Sequence, residues 1–233
     1  MSEILKTVIC VRALADDLKF LRPVTNRMKK LLGKELKFYE LTNQASHAVT
    51  KIALRNQPYD FAVLFAHGGR DYLRGGEYQV RATGENIETE KFLKSSELGI
   101  FRNKVIFCMS CDSNGIARAA LQSGALAFVG FDKVPFNRFD EEGEPIGSHV
   151  LVKHCQDILA DSVKLSLERF FRGNGSLDES VEYLRTVLVK RAIEYVRKNK
   201  SVKERREIAA LLLQTKSGLR YHGQKGFRFE QES

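Results

Sequence analysis

The chain has 233 residues, 43% of them hydrophobic, 29% charged and 9% aromatic, which excludes disorder as the main state and leaves room for one large domain or two small ones. Lys plus Arg at 38 against Asp plus Glu at 29 gives a formal net charge of +9, so an acidic partner or nucleic acid has to be considered. No stretch approaches the roughly 18 consecutive apolar residues of a membrane span, no long apolar run follows the start that holds Glu3 and Lys6, and four cysteines are too sparse for a disulfide framework, so a soluble, cytoplasmic chain without a signal peptide is expected.

Residues 4–11 are apolar and β-branched around Lys6 and Thr7 and predict a first strand. Residues 14–32 carry leucines and basic residues at helical spacing, with Pro23 placed to start, kink or split the helix. A second strand is expected at 36–41 and a helix at 46–56, with Ala48, Ile52 and Ala53 on one side and Pro58 closing it. Three runs then decide the architecture: FAVLFA at 61–66, VIFCM at 105–109 and ALAFVGF at 125–131. Each is apolar at every position, as strands are when helices cover both faces of a parallel sheet. Between the last two lies a helical pattern at 114–122 with Gly124 placed to end it. The intervening region 70–99, polar and glycine-bearing, predicts a short hairpin, a helix near 90–98 and loop. Long helices are expected at 150–172 and 177–198, separated by Gly173-Asn174-Gly175, and a third at about 202–214; alternation of Leu219, Tyr221, Phe227 and Phe229 predicts a late strand or hairpin. Together these elements predict one doubly wound α/β domain over 1–233, its mostly parallel sheet flanked by helices, with a helical C-terminal part and a closing strand.

In an open α/β sheet, ligands meet the protein beyond the carboxyl ends of the strands. After the first central run comes His67-Gly68-Gly69, and after the second Ser110-Cys111-Asp112-Ser113. If those strands are neighbours, about 4.8 Å apart, an imidazole and a thiol enter one crevice. That pair suffices for covalent acyl transfer. A thiol is activated by a nearby imidazole or a helix N-terminus, and the helix expected from Asn114 would supply the second. Gly68 permits a close backbone approach, so its N–H and that of Cys111 are candidate oxyanion donors.

These two blocks, FAVLFAHGG at 61–69 and VIFCMSCDS at 105–113, resemble the signature of caspase-like (clan CD) cysteine peptidases, which include caspases, metacaspases, gingipains, separases and CHAT-domain proteases. The continuation through Ala117, Ala120, Leu121, Ser123-Gly124-Ala125 and Phe128-Val129-Gly130 is CHAT-like, as are Phe170-Phe171-Arg172-Gly173 and Tyr221-His222-Gly223. The resemblance covers roughly 60–229 and implies a caspase-like fold and a cysteine endopeptidase with His67 and Cys111 as its dyad, Gly68 and Cys111 as oxyanion donors, a protein substrate and a thioester intermediate. It also implies an activating partner, loop rearrangement or self-cleavage within 70–99 or 136–147, in prokaryotic regulated proteolysis or defence. In this family the S1 pocket lies near the end of the first strand and around the nucleophile. Arg12 there favours an acidic P1 residue, whereas Asp112 and the acidic stretch at 140–144 favour a basic one; basic is preferred, with a small apolar P1 open.

Two other classes stay open. Cys108 and Cys111 spell C-x-x-C between a strand and a helix, as in thiol-disulfide redox proteins, although Cys108 lies inside the apolar run. An inactive CHAT-like module is the other. It would bind acidic protein or nucleic acid through 190–206, where eight basic residues face only Glu194 and Glu204. No nucleic-acid-binding motif accompanies that run. One C-x-x-C with scattered histidines does not make a zinc site, so no metal or cofactor is expected. His149, His154 and Cys155 are read as packing or surface residues, and His47 and His222 have no partner identifiable from the sequence.

Overall fold

The computed structural model describes residues 4–75, 78–79, 86–87, 91–134 and 149–231. Six strands form the central sheet: β1 (Val8–Ala13), β2 (Leu36–Leu41), β3 (Phe61–Phe65), β4 (Val105–Met109), β5 (Ala127–Gly130) and β6 (Arg220–Gly223). Their spatial order is β2-β1-β3-β4-β5-β6, parallel throughout except for β6, which closes the sheet antiparallel to β5. The expected doubly wound, mostly parallel sheet with a closing strand is therefore present. β1, β3, β4 and β5 are buried at every position, which explains their uninterrupted apolar composition. β2 lies at the edge and is half-exposed until Leu41.

Parallel strands need crossovers, and right-handed crossovers fix which face each covers. Leaving β1 for β2 runs one way across the sheet and puts α1 (Arg22–Leu32) on one face; returning to β3 and continuing to β5 puts α2 (Gln44–Asn56) and α3 (Ser113–Gln122) on the other. In agreement, α2 and α3 both pack on the 3-10 turn Ser95–Phe101, while α1 packs on α4 (His149–Phe171), which in turn meets α5 (Leu177–Lys198) and α6 (Arg205–Gly218). One contiguous hydrophobic core runs from Leu5 to Phe229. At its centre the Phe61 ring of β3 meets Phe170 and Phe171 of α4 edge-on at 5.3 and 5.9 Å, and Phe229 packs against the same two rings. Each such buried ring contributes about 1.5–3 kcal/mol, so β3 is anchored by the C-terminal helices. No helix among the described residues is long and apolar enough to cross a membrane.

Several elements differ from expectation. The first strand is split: Ile4–Leu5 pairs with Arg228–Phe229 outside the main sheet, because the Lys6 and Thr7 amides turn to the Asp60 carboxylate at 2.9 and 3.0 Å. The tail is consequently two strands in two sheets, not a hairpin. Pro23 starts α1, after a 3-10 turn at Asp16–Leu21. The inward face of α2 is His47, Thr50, Ala53 and Leu54, leaving Ile52 exposed. Instead of a helix near 90–98, Lys91–Lys94 is a strand paired with Tyr72–Arg74, and only the 3-10 turn follows; Phe92 and Leu93 are both buried there. The expected acidic stretch at 140–144 and the cleavage segment at 136–147 lie outside the described residues.

Candidate active site

The strand order reverses direction between β1 and β3, and beyond the carboxyl ends of such a pair lies the crevice of a doubly wound sheet. Asp17 stands just after β1, in the 3-10 turn, and His67 is the second residue after β3. Their side chains meet: His67 Nε2 lies 2.9 Å from Asp17 Oδ1, with both groups three-quarters or more removed from solvent. A carboxylate on one ring nitrogen sets the tautomer and orientation of the imidazole. Asp17 is not among the residues that the sequence pattern singles out. Its available signal was position alone, an acidic pair immediately past the first strand.

Cys111 arrives from the next strand over. β3 and β4 are parallel neighbours whose last paired positions are Phe65 and Met109, so His67 and Cys111 are each the second residue past the same rung of the ladder. The two loops are in close contact. A Cβ on Gly68 would lie 2.2 Å from Ser110 Oγ and 2.9 Å from the Cys111 carbonyl oxygen. The loop itself is held by the fully buried Ser113, whose hydroxyl donates toward the carbonyls of Ser110 (2.8 Å) and Cys108 (3.0 Å) and accepts from the Phe131 amide at 2.9 Å. Asp112 takes the left-handed conformation (φ 53°) as the cap of α3, and its amide donates to the Asp132 carbonyl at 2.6 Å. This turn brings the Cys111 loop to the N-terminus of α3. Gly115, in the first turn of α3, packs so closely on Arg70 that a Cβ there would lie 2.7 Å from the Arg70 carbonyl oxygen.

The Cys111 thiol is half-buried and donates to the Val134 carbonyl at 3.3 Å. Burial pushes it above the ordinary thiol range, the Asp112 and Asp17 carboxylates push it further, and Lys133 opposes them. The protonated thiol is thus the resting form. The remaining cysteines are buried, and burial holds Cys10, Cys108 and Cys155 each at about 12. Iodoacetamide on the native protein is accordingly expected to label Cys111 alone. Because its thiolate is scarce at neutral pH, the labelling rate should climb as pH rises through and beyond the usual thiol range; peptide mapping after timed quenching checks this, and labelling of Cys108 at an equal rate would contradict it.

No protein-family model matches the chain, and no curated protein matches it. Among solved structures, it is similar to the Arg-specific cysteine proteinase gingipain R. The identity is 10% and the TM-score 0.45, over 95% of this chain and 47% of that one, so this chain spans about half of the proteinase's length.

The other residues singled out from the sequence divide. Arg12 is buried, and its guanidinium binds Glu40, which faces it across the β1–β2 register, and Thr25 Oγ1 at 3.0 Å. Its charge is directed into the protein, not into the crevice. Cys108 sits inside β4 with no exposed surface, and a high thiol pKa is the reverse of what thiol-disulfide exchange needs. His154 contacts the Tyr195 hydroxyl. His47 is buried edge-on against Phe92 at 5.5 Å. His222 does have a partner: its Nε2 lies 3.1 Å from Asn114 Oδ1, while Asn114 Nδ2 donates to Asp132 at 2.6 Å and the Gly218 carbonyl at 2.8 Å. That network ties the start of α3 to β6. Burial and the neighbouring Arg220 hold His222 below the usual histidine range, which suits a neutral structural role.

Proposed function

We propose that this chain is a caspase-like cysteine endopeptidase that acts through His67 and Cys111. The observation that carries this reading is the placement of both residues two positions past one rung of the β3–β4 ladder, with Asp17 bound to the imidazole. In this reading the Cys111 thiol turns from the Val134 carbonyl toward the crevice, and its proton passes to the ring nitrogen of His67 that does not face Asp17. The sulfur attacks the scissile carbonyl carbon. The oxyanion so formed is met by the Gly68 and Cys111 amides, and its collapse breaks the C–N bond as imidazolium returns the proton to the departing amine. A water, deprotonated by His67, then attacks the thioester, releasing the new carboxyl terminus and the free thiol.

Two features support a basic P1 side chain. Asp112 adjoins Cys111 and its carboxylate acts on the thiol, and the competing cation Arg12 is neutralised by Glu40. The masked resting thiol fits control by a partner or a loop movement, as expected for regulated proteolysis.

The test is cleavage-site profiling of a peptide library with the wild type, taking Cys111→Ala as the blank. Cleavage confined to the wild type and concentrated after Lys or Arg is the expected outcome; identical profiles would remove the peptidase reading, and cleavage after Asp or Glu would remove the assigned specificity. A second reading, an inactive interaction module of the same fold, is favoured by the burial of the Cys111 thiol. Failure of an alkylator to label Cys111 at any pH that keeps the fold would select it.

A further inference from the structure

A concavity of about 660 Å³ lies between α5 and α6, and neither His67 nor Cys111 lines it. Its floor is apolar, formed by Ala192, Ile193 and Val196 of α5 and by Ala209 and Leu213 of α6. Ile193 is 63% exposed and Leu213 41%, an unfavourable arrangement for two large aliphatic side chains left in water. The rim is cationic: Arg197, Lys200, Arg205 and Arg206 border the groove, and no carboxylate lines it. Among the described residues none of these four cations is in an ion pair. A neighbouring hollow continues along α5 past Val189 and Lys190, where the lining carboxylate Glu194 is paired with Arg191, so the stripe from Val189 to Arg197 runs about 12 Å, a little over two helical turns.

Helix stability accounts for part of the charge only. Arg197 in the last turn of α5 complements that helix's dipole, but Arg205 and Arg206 open α6 between Glu204 and Glu207, and there the two carboxylates favour the dipole while the two arginines oppose it. Two arginines at the unfavourable end of a helix, beside exposed Ile193 and Leu213, fit an anionic and apolar ligand better than they fit the isolated fold. Nucleic acid matches the cations and leaves the aliphatic floor unused, and no aromatic side chain lines the groove for a base to stack upon. A helix with apolar residues at three and four spacing and carboxylates on its flanks matches both.

We propose that the α5–α6 groove is the docking site for an acidic amphipathic helix of a protein partner. The site is separate from Cys111 and His67, so it stands whether or not the crevice is catalytic. The test uses the full chain carrying Cys111→Ala, which prevents cleavage of the probe, and a fluorescein-labelled designed helical peptide with Leu on one face and Glu on its flanks. Fluorescence anisotropy is expected to show saturable one-site binding at micromolar concentration, weakened at least about tenfold by Ile193→Asp or Leu213→Asp and about as much by Arg197→Glu with Arg206→Glu. All these positions are on the surface of the groove, and unchanged thermal unfolding verifies that the fold is kept. Absence of saturation, equal affinity for the same peptide with Leu replaced by Gln, or tighter binding of an oligothymidylate would each overturn the proposal.

Discussion

Cys111→Ala and His67→Ala are each expected to lower kcat/KM for a cleavable peptide by at least about three orders of magnitude, and the double variant to be no worse than either alone. The non-additivity follows from the chemistry: the sulfur is inert without a base to take its proton, and the base has nothing to activate without the sulfur. In Cys111→Ala the loss should appear with little change in stability, since Cys111 is only half-buried and its side-chain bond is to one carbonyl. Asp17→Asn keeps the shape of the contact at His67 Nε2 but removes the charge that stabilises imidazolium, and a smaller drop, about a hundredfold, is expected. Undiminished cleavage in Cys111→Ala or His67→Ala, measured against a fold check by circular dichroism, would end the dyad assignment. Undiminished cleavage in Asp17→Asn would end only the role given to the carboxylate.

What the sequence made legible and what it did not have separate physical causes. The strands β3, β4 and β5 announce themselves because burial on both faces leaves no room for polar residues, and the residues following them inherit a position at the crevice from sheet geometry alone. That reasoning placed His67 and Cys111. Asp17 follows the first strand in the same way, yet its side chain reaches His67 only because Pro23 begins α1 late and leaves Asp16–Leu21 in a tight 3-10 turn, a detail no periodicity records. Arg12 shows the opposite failure. Its position at a strand end was readable, but its pairing with Glu40 depends on the register of β1 against β2, which is set by tertiary packing. The Lys91–Lys94 strand reads as helix in the sequence because two adjacent buried residues, Phe92 and Leu93, satisfy either pattern over so short a run. On α2 the apolar side formed by Ala48, Ile52 and Ala53 does not mark the buried face, because His47 and Thr50, polar residues, hold core positions beside Ala53 and Leu54.

Gly68→Ala is expected to reduce kcat by about a hundredfold through geometry alone, because a shift of about 1 Å at the reacting atoms has a cost of that order. The added methyl meets two atoms of the opposite loop. Ser110 Oγ, 2.2 Å away, can rotate aside, although Ser110 is fully buried and has little space to turn into. The Cys111 carbonyl oxygen, 2.9 Å away, is backbone and can move only with its loop, which Ser113 and Asp112 fasten to Phe131 and Asp132 just past β5. The strain therefore falls on the one segment whose position decides attack, and a stability loss of about 1–3 kcal/mol should accompany it. Adding Ser110→Gly removes the nearer contact and leaves the backbone one, so the double variant is expected to recover part of the rate and not all of it. A Gly68→Ala protein with wild-type kcat would show that the His67 and Cys111 loops do not position each other; full recovery in the double variant would assign the whole effect to Ser110.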